Sequence, residues 1–111
     1  MEIRTEKQGN STIFSLKGRL DSQTSTDVEK RILQAISEGS SHIILDFAEL
    51  DYISSAGIRV LVHCHKELEK NRGKIFLTSV PKPIENVLYI TGFLPYFKIY
   101  ENQAQAIKSI S

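Results

Sequence analysis

Apolar residues along this chain follow two rhythms, alternation every second residue and recurrence at helical spacing, and the switches between them mark out the elements. Glu2-Ile3-Arg4-Thr5-Glu6 and Thr12-Ile13-Phe14-Ser15-Leu16 are rich in β-branched or aromatic residues and are separated by the turn pair Gly9-Asn10, so they predict a hairpin. Gly18 and Asp21 break the pattern after it. Thr26-Asp27-Val28-Glu29 reads as a capping box, in which the hydroxyl accepts a free backbone N–H and the glutamate reaches back to another. Val28, Ile32, Ala35 and Ile36 follow at helical spacing, and Gly39 suits the left-handed residue past the end. His42-Ile43-Ile44-Leu45-Asp46-Phe47 is short and apolar, as expected of a central strand covered on both faces.

A second helix is predicted from near Ser55, with Ile58, Leu61, Val62 and Leu68 on one face and Asn71-Arg72-Gly73 as its end. Lys74-Ile75-Phe76-Leu77-Thr78 reads as the next strand. Pro81 and Pro83 preset the first turn of a third helix, which turns Ile84, Val87 and Leu88 inward and stops at Gly92. Phe97 to Tyr100 predicts an edge strand, and Asn102 to Ile110 a last amphipathic turn or two. The order β-β-α-β-α-β-α-β-α implies an α/β fold: a mixed four- to five-stranded sheet with about four helices packed against it. Whether the helices cover one face of the sheet or both is open at this level.

Composition narrows the function classes. At 111 residues the chain is expected to form one domain, residues 1–111, large enough to bury roughly 65% of its unfolded surface. Its 14 basic and 13 acidic residues are interspersed and leave a net charge of +1, so no basic stripe invites direct nucleic-acid binding. Cys64 is the single cysteine, which excludes an intramolecular disulfide and suggests a small buried hydrophobe. Met1-Glu2-Ile3-Arg4 lacks the apolar stretch of a signal peptide, and no apolar run reaches the length of a membrane span, so the expected location is the cytoplasm, without membrane insertion.

The informative stretch is Leu45 to Arg59: a strand, a tight connection, then a helix opening on Ser54-Ser55-Ala56-Gly57. A serine at a helix start caps it by accepting an unpaired backbone N–H. The same position exposes the hydroxyl, and a phosphate added there faces the positive end of the helix dipole. It would bring roughly −1.5 to −2 charges and leave the fold intact. An ordinary cap and a regulated hydroxyl are both compatible with these residues.

Three stretches go further. Leu16-Lys17-Gly18-Arg19-Leu20-Asp21, the segment Ile43 to Arg59, and Lys74 to Phe93 with its Gly92-Phe93 pair resemble, in this order and over nearly the whole chain, the STAS family. The likeness is to its stand-alone anti-sigma-factor antagonists of bacterial partner-switching systems, and Ser54-Ser55-Ala56-Gly57-Ile58 is its most specific piece. The resemblance implies a non-enzymatic switch without a cofactor. In that family the unphosphorylated antagonist binds an anti-sigma factor, itself an ATP-dependent serine kinase of the histidine-kinase-like fold, and so frees the sigma factor. The kinase phosphorylates the antagonist and ends the interaction, and a PP2C-type phosphatase reverses it. The family's phosphoserine precedes a small residue and a glycine, which maps to Ser55 before Ala56 and Gly57. Many members carry aspartate just before it; here that position is Ser54, which makes Ser54 a competing acceptor.

The same resemblance assigns a partner-binding face to Asp21, Ser54, Ser55, Ala56, Gly57, Ile58 and Arg59. Asp21 is equally well read as a turn residue bonding its own backbone. Arg59, one turn from Ser55, is placed to pair with phosphate or with partner carboxylates, although an arginine there is more often a solvated first-turn residue. His63-Cys64-His65 cannot converge on one metal ion, because consecutive helical residues point about 100° apart. A serine hydrolase would need a glycine two residues before its nucleophile, where this chain has Ile53. The main rival is another STAS class, a subunit docking on the ATPase of an ABC-type lipid transporter. On either reading Ser55→Ala is expected to lose a capping bond.

Overall fold

A computed structural model describes residues 1–110. Strands β1 (Glu2–Gln8), β2 (Ser11–Leu20), β3 (His42–Ile53), β4 (Lys74–Thr78) and β5 (Lys98–Tyr100) form one sheet in the order β1-β2-β3-β4-β5. The β1–β2 hairpin is antiparallel, and every other pairing is parallel. Helices α1 (Ser25–Ser37), α2 (Ser55–Glu69), α3 (Lys82–Ile90) and α4 (Gln103–Ile110) fill the connections and the C-terminal end, with a 3-10 turn over Leu94–Tyr96. This is the mixed α/β sheet that the alternation of patterns predicts.

Both faces of the sheet are covered. Phe14, Leu16, Ile43, Leu45, Phe47, Ile75 and Leu77 pack in the main core with the inward stripes of α1, α2 and α3. Their strand neighbours Ile13, Ile44 and Phe76 point the other way, onto Ala106, Ile107 and Ile110 of α4. That is why the central strands read as continuous apolar runs. The Gln103 amide of α4 donates to the Asp46 carboxylate at 2.6 Å, which ties that helix to β3.

The ends of β2 and β3 and the start of α1 differ from the sequence reading, and all bear on the site. β3 does not stop at Phe47 but continues to Ile53, so the tight connection to α2 is the single residue Ser54. Past the end of its pairing with β4, β3 stays paired to β2 through two register shifts, Lys17 opposite Glu49 and Leu20 opposite Ile53. These irregularities turn Leu50 and Ile53 inward at a spacing of three while Glu49, Asp51 and Tyr52 face solvent, so an alternating template does not detect the extension. Gly18, expected to break β2, instead lies within it at φ +112°, at one of the shifts.

The start of α1 differs as well. The helix begins at Ser25, one residue ahead of the predicted cap Thr26. The reciprocal pair lies further upstream: Asp21 Oδ1 accepts the Thr24 N–H at 3.1 Å, and Thr24 Oγ1 accepts the Asp21 N–H at 2.9 Å. A carboxylate followed three residues on by a hydroxyl closes the same kind of box as a hydroxyl followed by a carboxylate.

Candidate functional site

The end of β2, the end of β3 and the start of α2 meet at the C-terminal end of the two parallel strands. The Ser54 N–H donates to Leu20 O at 2.9 Å, extending the β2–β3 ladder by one bond and holding Ser54 extended at φ −96°, ψ 172°. A residue so held cannot be helical, so it becomes the N-cap. Its hydroxyl accepts the Gly57 N–H at 3.2 Å, and its carbonyl accepts the Ile58 N–H at 3.0 Å. The expectation that Ser55 caps the helix is therefore corrected: Ser54 is the cap, and Ser55 is the first helical residue.

The two serines differ in setting. Ser54 is half-buried with its oxygen engaged, whereas Ser55 is exposed and makes no side-chain hydrogen bond among the described residues. Beneath them, Gly57 is buried against Leu20. A Cβ at Gly57 would stand 2.9 Å from both Leu20 Cγ and Leu20 O, and 3.0 Å from Ile53 Cγ1. Only glycine lets the helix start this close to the strand ends. Ile58 is 3% exposed and packs in the core, so it and Gly57 shape the surface from below, while Ala56 is half-buried and Arg59 exposed.

Asp21 is brought beside these strand ends because it follows Leu20. Its carboxylate accepts the N–H groups of Thr24 at 3.1 Å and Gln23 at 3.0 Å, and stands 3.9 Å from the Arg19 guanidinium. The Thr24 N–H bond is the main reason its pKa lies below the ordinary aspartate value; slight burial opposes this, and the Gln23 N–H, the Thr24 hydroxyl and Arg19 add to the lowering. The turn role is thus visible in the geometry, and the carboxylate is still about a quarter exposed, at 28%. Arg19 also lies 4.1 Å over the Tyr52 ring, capping the end of β3 with a cation–π contact.

Beside Ser55 the surface is concave. A cleft of about 230 Å³ runs between α2 and the end of α3, lined by Ser55, Ile58, Arg59, Val62, Thr91 and Phe93. Next to it, Tyr89 and Ile90 of α3 are 71% and 80% exposed. Sequence reasoning did not place Val62, Thr91 or Phe93 with the serines. The Gly92-Phe93 pair was the one available signal, and nothing local tells that it folds back onto α2. A larger groove, about 680 Å³, lies at the far end of α1 and α2 among Leu33, Ile36, Ser37 and Ser40. Its one charged group, Glu67, is occupied by Lys70 at 3.0 Å.

The His63-Cys64-His65 triplet disperses as helical geometry requires. His63 Nδ1 meets Glu29 of α1 at 2.9 Å, Cys64 is sealed in the core, and His65 packs edge-on against Tyr96 and Phe97. Among the described residues no group of His, Cys, Asp and Glu is arranged to hold a metal ion, and no helix is long and apolar enough to cross a membrane.

An exposed hydroxyl at the first position of a helix, a buried glycine beneath it and an apolar cleft at its side form a surface suited to binding. Comparison with known proteins agrees with this fold and extent. BtrV of Bordetella bronchiseptica, a candidate anti-sigma factor antagonist, is 29% identical over 106 residues, spanning 96% of this chain and 91% of its own. The anti-sigma F factor antagonist of Paenibacillus polymyxa is 26% identical over 111 residues, 99% of this chain and 95% of its own. The solved anti-sigma factor antagonist SpoIIAA in its unphosphorylated form superposes with a TM-score of 0.86 at 22% identity, covering 98% of this chain and 96% of that one. The STAS domain model matches residues 2–106, and the chain belongs to the STAS domain family.

Proposed function

We propose that this protein is an anti-sigma-factor antagonist, a binding protein rather than an enzyme, working in the cytoplasm. Unmodified, it docks on an anti-sigma factor that is also an ATP-dependent serine kinase of the histidine-kinase-like fold. Phosphate on Ser55 releases it, and a PP2C-type phosphatase resets it. Relatives named as antagonists of anti-sigma factors support this class of partner over the ATPase of a lipid transporter.

The observation that carries the site is the unequal setting of the adjacent serines. The Ser54 oxygen is committed to the Gly57 N–H, whereas Ser55 is exposed at the rim of the cleft with its hydroxyl free. A kinase needs a hydroxyl that can be aligned with the transferred phosphoryl group. At this position the added charge suits the helix terminus, so the fold persists while the surface changes. A charge buried without a partner at an interface costs several kcal/mol, and about 1.4 kcal/mol already changes affinity tenfold. Refolding is unnecessary.

Incubation with the cognate kinase and ATP, followed by mapping of the phosphate by mass spectrometry, tests the assignment. Phosphate is expected on Ser55, with incorporation lost in Ser55→Ala and retained in Ser54→Ala. Phosphate on Ser54 or on a C-terminal serine, with Ser55 unmodified, would remove the site.

A further inference from the structure

We infer that Arg59 is an internal receptor for the phosphate: once Ser55 is modified, the Arg59 guanidinium binds the phosphoryl oxygens within the same chain. Modification then withdraws a cation from the docking face as well as adding an anion. The inference rests on Ser55 being the modified residue, and goes beyond it in saying what holds the phosphate.

Ser55 and Arg59 stand four residues apart on α2, so their Cβ atoms lie about 5–6 Å apart on one face. Helical side chains lean toward the N-terminus, which directs an arginine back over the residue one turn before it. Both residues are exposed and both line the cleft beside α3. Arg59 is free to respond. Arg4, Arg19 and Arg31 each have a carboxylate within 4 Å, whereas Arg59 has no ion pair or hydrogen bond among the described residues. Nothing in the cleft competes for it: Arg59 is the one ionisable residue of the lining, the first turn of α2 holds no acid, and the Thr91 hydroxyl donates to Val87 O at 2.7 Å.

The chemistry matches. A phosphoserine offers three acceptor oxygens and close to two charges, and a guanidinium fork takes two of those oxygens at once. The apolar flank of Ile58, Val62 and Phe93 excludes water from one side of the pair, which strengthens it relative to a fully solvated one. Ser54 offers no such geometry, since it is five residues from Arg59 and faces the Gly57 N–H.

The test installs phosphoserine at position 55 biosynthetically, so it does not depend on any kinase, and follows the phosphate by 31P NMR as a function of pH. The second phosphate pKa is expected about 0.2–0.7 units lower in the otherwise native chain than in Arg59→Gln. Arg59→Lys should give an intermediate value, and 1 M salt should shrink the difference. Phosphoserine installed at 54 should be insensitive to Arg59→Gln. Equal values in the native chain and in a folded Arg59→Gln, or equal sensitivity at positions 54 and 55, would overturn the inference. A kinase that modifies another residue would instead defeat the Ser55 assignment and leave this measurement unchanged.

Discussion

At the scale of single residues, the site turns on two neighbouring hydroxyls with different work. Ser54 caps α2 through the Gly57 N–H, and Ser55 has no structural bond. Ser54→Ala should therefore cost about 0.5–2 kcal/mol in urea unfolding, while Ser55→Ala should change stability by less than about 0.5 kcal/mol. A larger loss at Ser55 than at Ser54 would reverse the assignment of cap and free hydroxyl. Asp21 supplies a pH signature. Its native pKa is lowered, chiefly by the Thr24 N–H. Its contribution is therefore complete above the ordinary aspartate value of 3.8 and is lost as pH falls through that value toward the native one. Asp21→Asn should flatten the acid limb of the stability profile in that window, and an unchanged limb would show that the carboxylate is unimportant to the α1 start. Asp21 was legible as a turn residue, because such bonds are local. Its reciprocal partner Thr24 was missed because the template sought was hydroxyl first, carboxylate second.

At the scale of elements, α2 joins core to site. Its buried stripe of Ile58, Leu61, Cys64 and Leu68 fixes the helix on the sheet, and the same rotation leaves Ser55 and Arg59 on the outer side. Burial pushes the Cys64 thiol up to about 12, with Glu29 and Glu67 adding to the shift. The native protein should thus react with a thiol-specific disulfide reagent at pH 8 only after denaturant is added. Prompt reaction without denaturant would mean that α2 opens from the sheet. The helices were readable from spacing and stops: Gly39 and Gly92 do follow α1 and α3 with φ of +104° and +83°. The far half of β3 was not readable. Its pairing to β2 is displaced twice, and its inward residues Leu50 and Ile53 fall out of alternation.

At the scale of the whole molecule, the proposed switch would act on the rim of a fold whose core is sealed on both faces of the sheet. Ser55→Asp should shift the thermal midpoint by less than about 3 °C and weaken partner binding at least about tenfold, measured by calorimetry against the kinase. An Asp variant that bound as well as the native chain would rule out exclusion by charge. The sequence by itself determined the order of elements and the helix start at Ser55, because periodicity and stops are properties of neighbours along the chain; the proposed choice of Ser55 over Ser54 as acceptor came from the family resemblance. The tertiary structure alone decided three things. Pairing of Ser54 to Leu20 forced that residue extended and made it the cap, leaving Ser55 free. Packing of α4 on Ile44 and Phe76 settled that the sheet is covered on both sides. Docking of α3 beside α2 created the cleft, whose walls are about thirty residues apart in sequence and whose closeness follows from burying both apolar stripes on one sheet face.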